Sequence, residues 1–255
     1  MPRYRLTLEY DGGPYRGFQA QGDLPSVQGT LEAAILAFSS EAARVHVAGR
    51  TDTGVHATGQ VVHFEVEREW RTDVIRDALN AYLRARSIVV IEAVAAPADF
   101  HARFSAIGRR YLYRILDRRT PPALEAARVW WVKTPLDGDA MASAAKALIG
   151  THDFTTFRHV DCQANGPVKS LNEAEVVREG RELRLMFSAR SFVHRQVRSM
   201  VGSLAAVGSG RWTEAQFIAA LEARDRQRCA PVAPAHGLYL TGVRYEAEGW
   251  LGPER

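Results

Sequence analysis

The sequence has only two cysteines, Cys162 and Cys229, which stand far apart in no paired motif. That rules out a disulfide framework, and free thiols suit a reducing compartment. Lysine is scarce as well. Lys133, Lys146 and Lys169 are three of 33 basic residues, and the rest are arginine. No apolar run approaches the roughly 18 residues of a membrane span. The opening MPRYRLTLEYDGG lacks the apolar core of a signal peptide and reads as a strand, so a soluble, cytoplasmic protein with no membrane partner is expected. There is no P-loop: GVHATGQ, residues 54–60, holds two glycines with no lysine after them. Neither GxSxG nor GxGxxG occurs. These absences count against the common nucleotide-binding and acyl-transfer enzymes.

What is present points to a globular chain with a basic surface. The 255 residues make one large domain or two of moderate size, and an apolar share of 46% is ordinary for a protein with a real core. The formal charge is +4, a weak hint of a polyanionic partner. Arginine is the better residue for bidentate phosphate contacts and for stacking on bases, although a GC-rich coding sequence produces the same bias.

Periodicity organises the chain. In RYRLTLEYD, Tyr4, Leu6, Leu8 and Tyr10 fall on one face of a strand and Arg3, Arg5, Thr7 and Glu9 on the other. A glycine-rich loop follows, then a helix with Val27, Leu31, Ile35 and Phe38 at helical spacing. A second helix near residues 73–86 places Val74, Ala78, Leu79, Tyr82 and Leu83 together, and SIVVIEAV is the next strand. RRYLYRILDR (109–118) then repeats the opening pattern of basic residues, a tyrosine and alternation, and RVWWVK reads as a strand. Residues 139–150 form a helix with Asp139 as N-cap and Gly150 as C-cap. Leu183, Leu185 and Phe187 alternate beyond a Glu179-Gly180 turn. A long helix over roughly 191–207 is followed by one over 214–223, opened by a capping box from Thr213 to Gln216. Short connections favour antiparallel pairing, hence α+β with two similar halves.

The chemistry centres on GRTDTGVHATGQVVHF, residues 49–64. Its second half alternates as a strand, with Val62, Phe64 and Val66 on one side. Its first half sets Asp52 among small residues, with Arg50 before it and Gly54 after it. An aspartate in such a segment ordinarily accepts a backbone hydrogen bond in a turn. Two features favour chemistry instead: an adjacent arginine favours the ionised acid, and a glycine turn lets a substrate approach the backbone. In SFVHRQVRSMVGSLAAVGSG, Val193, Val197, Val201 and Leu204 form a buried stripe. His194, Arg195 and Arg198 share its edge, and Arg198, next to the stripe, requires a partner. HDFTTFRHVDC holds His152, Asp153, His159, Asp161 and Cys162, but its spacing matches no zinc signature. Phe154 and Phe157 are expected to pack inward there, and no metal site is expected.

Several segments together resemble the TruA family of tRNA pseudouridine synthases. The core GRTDTGVHATGQVVHF resembles the family pattern GRTDAGVHA-GQV-HF. YDGGPYRGFQAQ with SVQGTLEAAI, FHARFSAIGRRYLYRI, GTHDFTTF, FVHRQVRSMVGSLAAVG and APAHGLYLTGVRY follow in the family's order, so the match spans about residues 4–246. Thr53 replaces the usual alanine, and Phe18 stands where another aromatic, often tryptophan, is expected. Neither change removes a chemical group.

The resemblance implies an isomerase that converts uridine to pseudouridine at positions 38, 39 and 40 of the tRNA anticodon stem-loop. It implies Asp52 as nucleophile on a flipped-out uridine and Arg198 as its ion-pair partner. It also implies Tyr111, in RRYLY, as the ring that stacks on the base and takes part in proton transfer. Arg50 would hold the flipped nucleotide, and Leu238 would pack beside the base. The implied fold is two ferredoxin-like (RRM-like) halves forming one continuous, mostly antiparallel sheet flanked by helices, with a central active-site cleft. Residues 1–104 would carry the aspartate motif and residues 105–255 the tyrosine and arginine. A homodimer that binds tRNA without metal or organic cofactor is implied. A non-catalytic RNA-binding module is the alternative, but it leaves Asp52 without a task. A metal-dependent RNA hydrolase using the 152–162 loop is a third reading.

Overall fold

The computed structural model describes residues 1–163 and 166–253. In chain order its elements are β1 (Arg3–Tyr10), α1 (Val27–Ser39), β2 (His46–Val47), β3 (His56–Glu65), α2 (Thr72–Leu83), β4 (Ile88–Ala96), β5 (Ala106–Asp117), β6 (Trp130–Val132), α3 (Gly138–Ala145), β7 (Gly150–Asp153), β8 (Val168–Glu179), β9 (Glu182–Ala189), α4 (Gln196–Gly208), α5 (Glu214–Ala223), β10 (Leu238–Tyr245) and β11 (Gly249–Leu251). The chain divides into two units, Met1–Arg109 with Tyr239–Arg255, and Arg110–Leu238. Each combines helices with a mostly antiparallel sheet, the α+β class expected from the short connections.

In the first unit the strands run in the order β4-β1-β3-β10, with β2 beside β3 and β11 beside β10. β1 is antiparallel to both neighbours, while β10 runs parallel to β3. Tyr4, Leu6, Leu8 and Tyr10 are buried, as alternation requires. The opposite face of β1 is not the wet surface that alternation suggests. Arg5 is buried there because Glu92, at 3.3 Å, and Glu248 reach it from distant segments. Ser26 caps α1 by accepting the Gly29 N–H at 3.2 Å, and Val27, Leu31 and Ile35 face the core. Phe38 instead packs on Trp70, with ring centroids 4.5 Å apart. In α2 the buried residues are Ile75, Leu79 and Leu83, whereas Val74 and Tyr82 are exposed. This corrects the face read from the sequence. The i, i+4, i+8 row around Leu79 is the stripe one helix side presents, and Tyr82 falls off it.

In the second unit the order is β5-β9-β8-β7, with β6 parallel to β5. β8 and β9 form the hairpin expected at Glu179-Gly180, where Glu179 faces Glu182 and Gly180 adopts φ +61°. Leu183, Leu185 and Phe187 are fully buried, and so are Phe154 and Phe157. α3 packs on β8 and α4, and α5 packs on α3 and α4. The capping box holds: Thr213 Oγ1 accepts the Gln216 N–H at 3.2 Å, and Gln216 Oε1 accepts the Thr213 N–H at 2.8 Å. The cap of α3 is Asp137, not Asp139. Asp137 Oδ1 accepts the Ala140 N–H at 2.9 Å, and Gly150 falls outside the helix, at the start of β7. α4 starts five residues later than its hydrophobic pattern, because Arg195 takes the left-handed conformation (φ +60°) and separates Val193 from the helix.

Candidate active site

The turn at residues 48–55, between β2 and β3, carries Arg50 and Asp52 and is gripped from several sides within the first unit. Ala48 O accepts from Arg109 Nη2 at 2.8 Å, and Gly49 O from Gln60 Nε2 at 2.7 Å. Thr51 O accepts the Phe18 N–H at 3.0 Å, and Thr51 Oγ1 lies 2.8 Å from the Tyr10 hydroxyl. Gln60 Nε2 also reaches that hydroxyl, at 3.3 Å. Tyr10, Thr51, Gln60 and Arg109 are all buried. Burial pushes the Tyr10 phenol up to about 12, so it works as a neutral hydroxyl in this network.

The turn closes where the Val55 N–H donates to Asp52 O at 3.1 Å, with Gly54 at φ +78°, a conformation glycine takes without strain. The glycine-rich loop that precedes α1 lies directly against it. A Cβ on Gly12 would come within 2.0 Å of Val55 O, so that position admits only hydrogen. Asp52 is half-buried and Arg50 exposed. Partial burial against the protein, with the neighbouring charges of Arg103 and Arg44, lowers the Arg50 guanidinium below its ordinary value. Arg44, Arg50 and Arg103 therefore make an electropositive cluster.

Tyr111, Arg198 and Leu238 fall in the second unit. The half-buried Tyr111 ring meets Phe192 edge-on, with centroids 5.1 Å apart. Arg198 sits in the first turn of α4, where the helix dipole disfavours a cation by about 0.3–1 kcal/mol. Its Nε donates to Ala233 O at 2.9 Å, and the Ala233 N–H returns a bond to Arg198 O at 3.1 Å. Its charge also opposes the upward shift that burial imposes on the Tyr113 phenol, whose hydroxyl donates to Pro234 O at 2.8 Å. Leu238 is buried at the start of β10, next to Gly237, which packs on the Tyr113 ring.

Among the described residues one group has ring nitrogens close enough to suggest a metal: His46, His63 and His101, within 4.8 Å of one another. None of these residues belongs to the 152–162 loop singled out in the sequence. The donor set does not fit a cation. His63 Nδ1 accepts the Ala102 N–H and His101 Nδ1 the Arg103 N–H, each at 3.1 Å. A neutral imidazole has one acceptor nitrogen, so in both rings that lone pair is already engaged. Burial, then His101, His46 and Arg3, push His63 down to about 4, which describes a site hostile to added positive charge.

The family model for tRNA pseudouridine synthases matches residues 7–105 and 144–246. The chain belongs to the tRNA pseudouridine synthase family. Curated relatives named tRNA pseudouridine synthase A include one from Caulobacter sp. (strain K31), 63% identical over 98% of this chain and 100% of its own length. Another, from Caulobacter vibrioides (strain NA1000 / CB15N), is 60% identical over 96% of this chain and 99% of its own length. A chain in the crystal structure of a Cbf5-Nop10-Gar1 complex aligns with 13% identity and a TM-score of 0.41, over 94% of this chain and 49% of that one. The resemblance read from the ordered motifs is thus confirmed at the level of the family. Arg50, Asp52, Arg198 and Leu238 lie inside the segments matched to the pseudouridine synthase model, and Tyr111 lies between them. The sequence did not single out Tyr10, Gln60 or Arg109 as groups that hold the turn. Gln60 stands inside the quoted motif, and a polar residue in the middle of a mostly buried strand was the available signal.

Proposed function

We propose that the protein isomerises uridine to pseudouridine in tRNA, at positions 38, 39 and 40 of the anticodon stem-loop, with Asp52 as nucleophile. The observation that carries this reading is Asp52 itself: a half-buried carboxylate on a turn whose carbonyls at 48, 49 and 51 are each hydrogen-bonded by another part of the unit, in a chain of the pseudouridine synthase family. A carboxylate serves covalent catalysis when it is ionised and held still. Residues 1–104 supply the aspartate motif, and residues 105–255 supply Tyr111 and Arg198.

Arg198 pairs with Asp52, which gives a reason for a guanidinium kept at a helix N-terminus against the dipole. Removing one partner of a buried pair costs about 3–5 kcal/mol. Arg50, in its electropositive cluster, holds the flipped nucleotide by its phosphate. Tyr111 stacks on the uracil, worth about 1–3 kcal/mol per base, and serves proton transfer. Leu238 packs beside the base. Everting the nucleotide costs a few kcal/mol, and contacts between arginines and backbone phosphates offset it. The reaction needs no cofactor: the glycosidic bond to N1 breaks, the base turns, C5 joins the sugar as its proton leaves, and N1 takes up a proton. The protein works as a cytoplasmic homodimer. Among the described residues no helix is long and apolar enough to cross a membrane.

Tritium release from C5-labelled tRNA tests this directly. Asp52→Ala is expected to bind tRNA as the wild type does and to release no tritium. Retained release places the nucleophile elsewhere, and no release from the wild type leaves only an RNA-binding module.

A further inference from the structure

One anchor of the Asp52 turn comes from β5, within the RRYLY motif. Arg109, in β5, is buried. Its Nη2 donates to Ala48 O and to Arg103 O, both at 2.8 Å, and its Nη1 donates to Ala106 O at 3.1 Å. One guanidinium thus ties the turn that leads into Arg50 and Asp52 to the segment 101–106.

That segment is itself fixed. The Tyr245 hydroxyl donates to Ala102 O at 2.7 Å, the Ala102 N–H donates to His63 Nδ1, and Ser105 Oγ accepts the His101 N–H at 2.9 Å. It also carries Arg103, one of the charges that bear on Arg50. The bond to Ala48 therefore sets where the turn stands relative to a rigid support, and how far Arg50 stands from Arg103. Only a planar fork with several fixed donors serves three carbonyls on two segments at once. An ammonium on a flexible stem presents its donors from a single point.

We infer that Arg109 is a positioning residue for Asp52, acting through the main chain of Ala48 and the 101–106 segment. This rests on the reading of Asp52 as nucleophile. The RRYLY motif then contributes twice, with a ring at Tyr111 and a support at Arg109.

The test compares the full-length wild type with Asp52→Ala, Arg109→Ala and Arg109→Lys in tritium release, each rate normalised to folded protein by near-UV circular dichroism. A misplacement near 1 Å is enough to lower turnover roughly 100-fold. Arg109→Ala is expected to lose about that much in kcat, with KM for tRNA within about twofold of wild type, and Arg109→Lys to fall between. A residue that merely stabilised the fold would leave the normalised kcat unchanged, and that result, or a loss confined to KM, overturns the inference. If Arg109→Ala does not fold, Arg109→Lys decides: a kcat roughly tenfold down at normal KM supports the role, and wild-type kcat refutes it. Turnover retained by Asp52→Ala is a different failure. It overturns the nucleophile, and with it anything Arg109 would position.

Discussion

Gln60→Glu probes the Asp52 turn with almost no change in side-chain volume. Gln60 is fully buried, and its Nε2 donates to Gly49 O at 2.7 Å and to the Tyr10 hydroxyl at 3.3 Å. An ionised glutamate turns that donor into an oxygen facing a carbonyl oxygen. The orphaned Gly49 carbonyl alone costs about 1–3 kcal/mol, and a buried carboxylate adds to it. A protonated glutamate, however, can donate to Gly49 O and restore the bond. Burial raises a carboxyl pKa, so the two forms exchange within an accessible range. We expect turnover relative to wild type to be roughly 10–100-fold down near pH 8.5 and to recover as the pH falls toward about 5.5. Gln60→Leu, with no proton to regain, is expected to stay impaired at both. The assay is tritium release at saturating tRNA, with urea melts of each protein at each pH. A pH-independent ratio for Gln60→Glu, or wild-type turnover in Gln60→Leu, refutes the claim that this side chain holds the turn.

Two further predictions concern single rings. The His63 pKa lies at about 4 in the folded chain against an ordinary 6.5, so the unfolded chain takes up a proton that the native one refuses. Stability is complete above about pH 6.5 and falls as the pH drops toward 4, by about 3 kcal/mol for this group. His63→Gln should flatten that part of the profile in urea melts, and an unchanged slope counts against it. Tyr111→Ala should lose about 1–3 kcal/mol of transition-state binding in kcat/KM, which Tyr111→Phe retains through its ring. Equal kcat/KM for Tyr111→Ala and wild type contradicts the stacking role, and full turnover in Tyr111→Phe removes the hydroxyl from proton transfer.

Much of the fold was legible wherever a local rule acts alone. The Thr213–Gln216 capping box depends on four consecutive residues and stands as read. So does the Gly180 hairpin, which needs only a residue at ease with positive φ. Reading failed where long-range partners override type. Alternation assigns Arg5 to solvent, and Glu92 and Glu248, 87 and 243 positions away, bury it. On a helical wheel Val74 and Tyr82 lie about 140° and about 60° from Leu79, outside the buried row of Ile75, Leu79 and Leu83. The site divides the same way. Asp52 and Arg50 were visible because the motif is contiguous. Arg109 and Tyr10 were not, because nothing local says that a guanidinium will face carbonyls 61 positions away or that a core tyrosine will aim its hydroxyl at Thr51.

That division has a chemical sense. On the proposed reading Arg198 keeps the Asp52 carboxylate ionised, while a turn fixed through its main chain keeps that carboxylate in place. The anchors from the first unit act on the main chain at 48, 49 and 51 and on the Thr51 hydroxyl. They arrive from β1, β3 and β5 and from the loop at Phe18. The placement of Asp52 is therefore a property of the whole first unit, and substitutions well away from position 52 should reach kcat before they reach the affinity for tRNA.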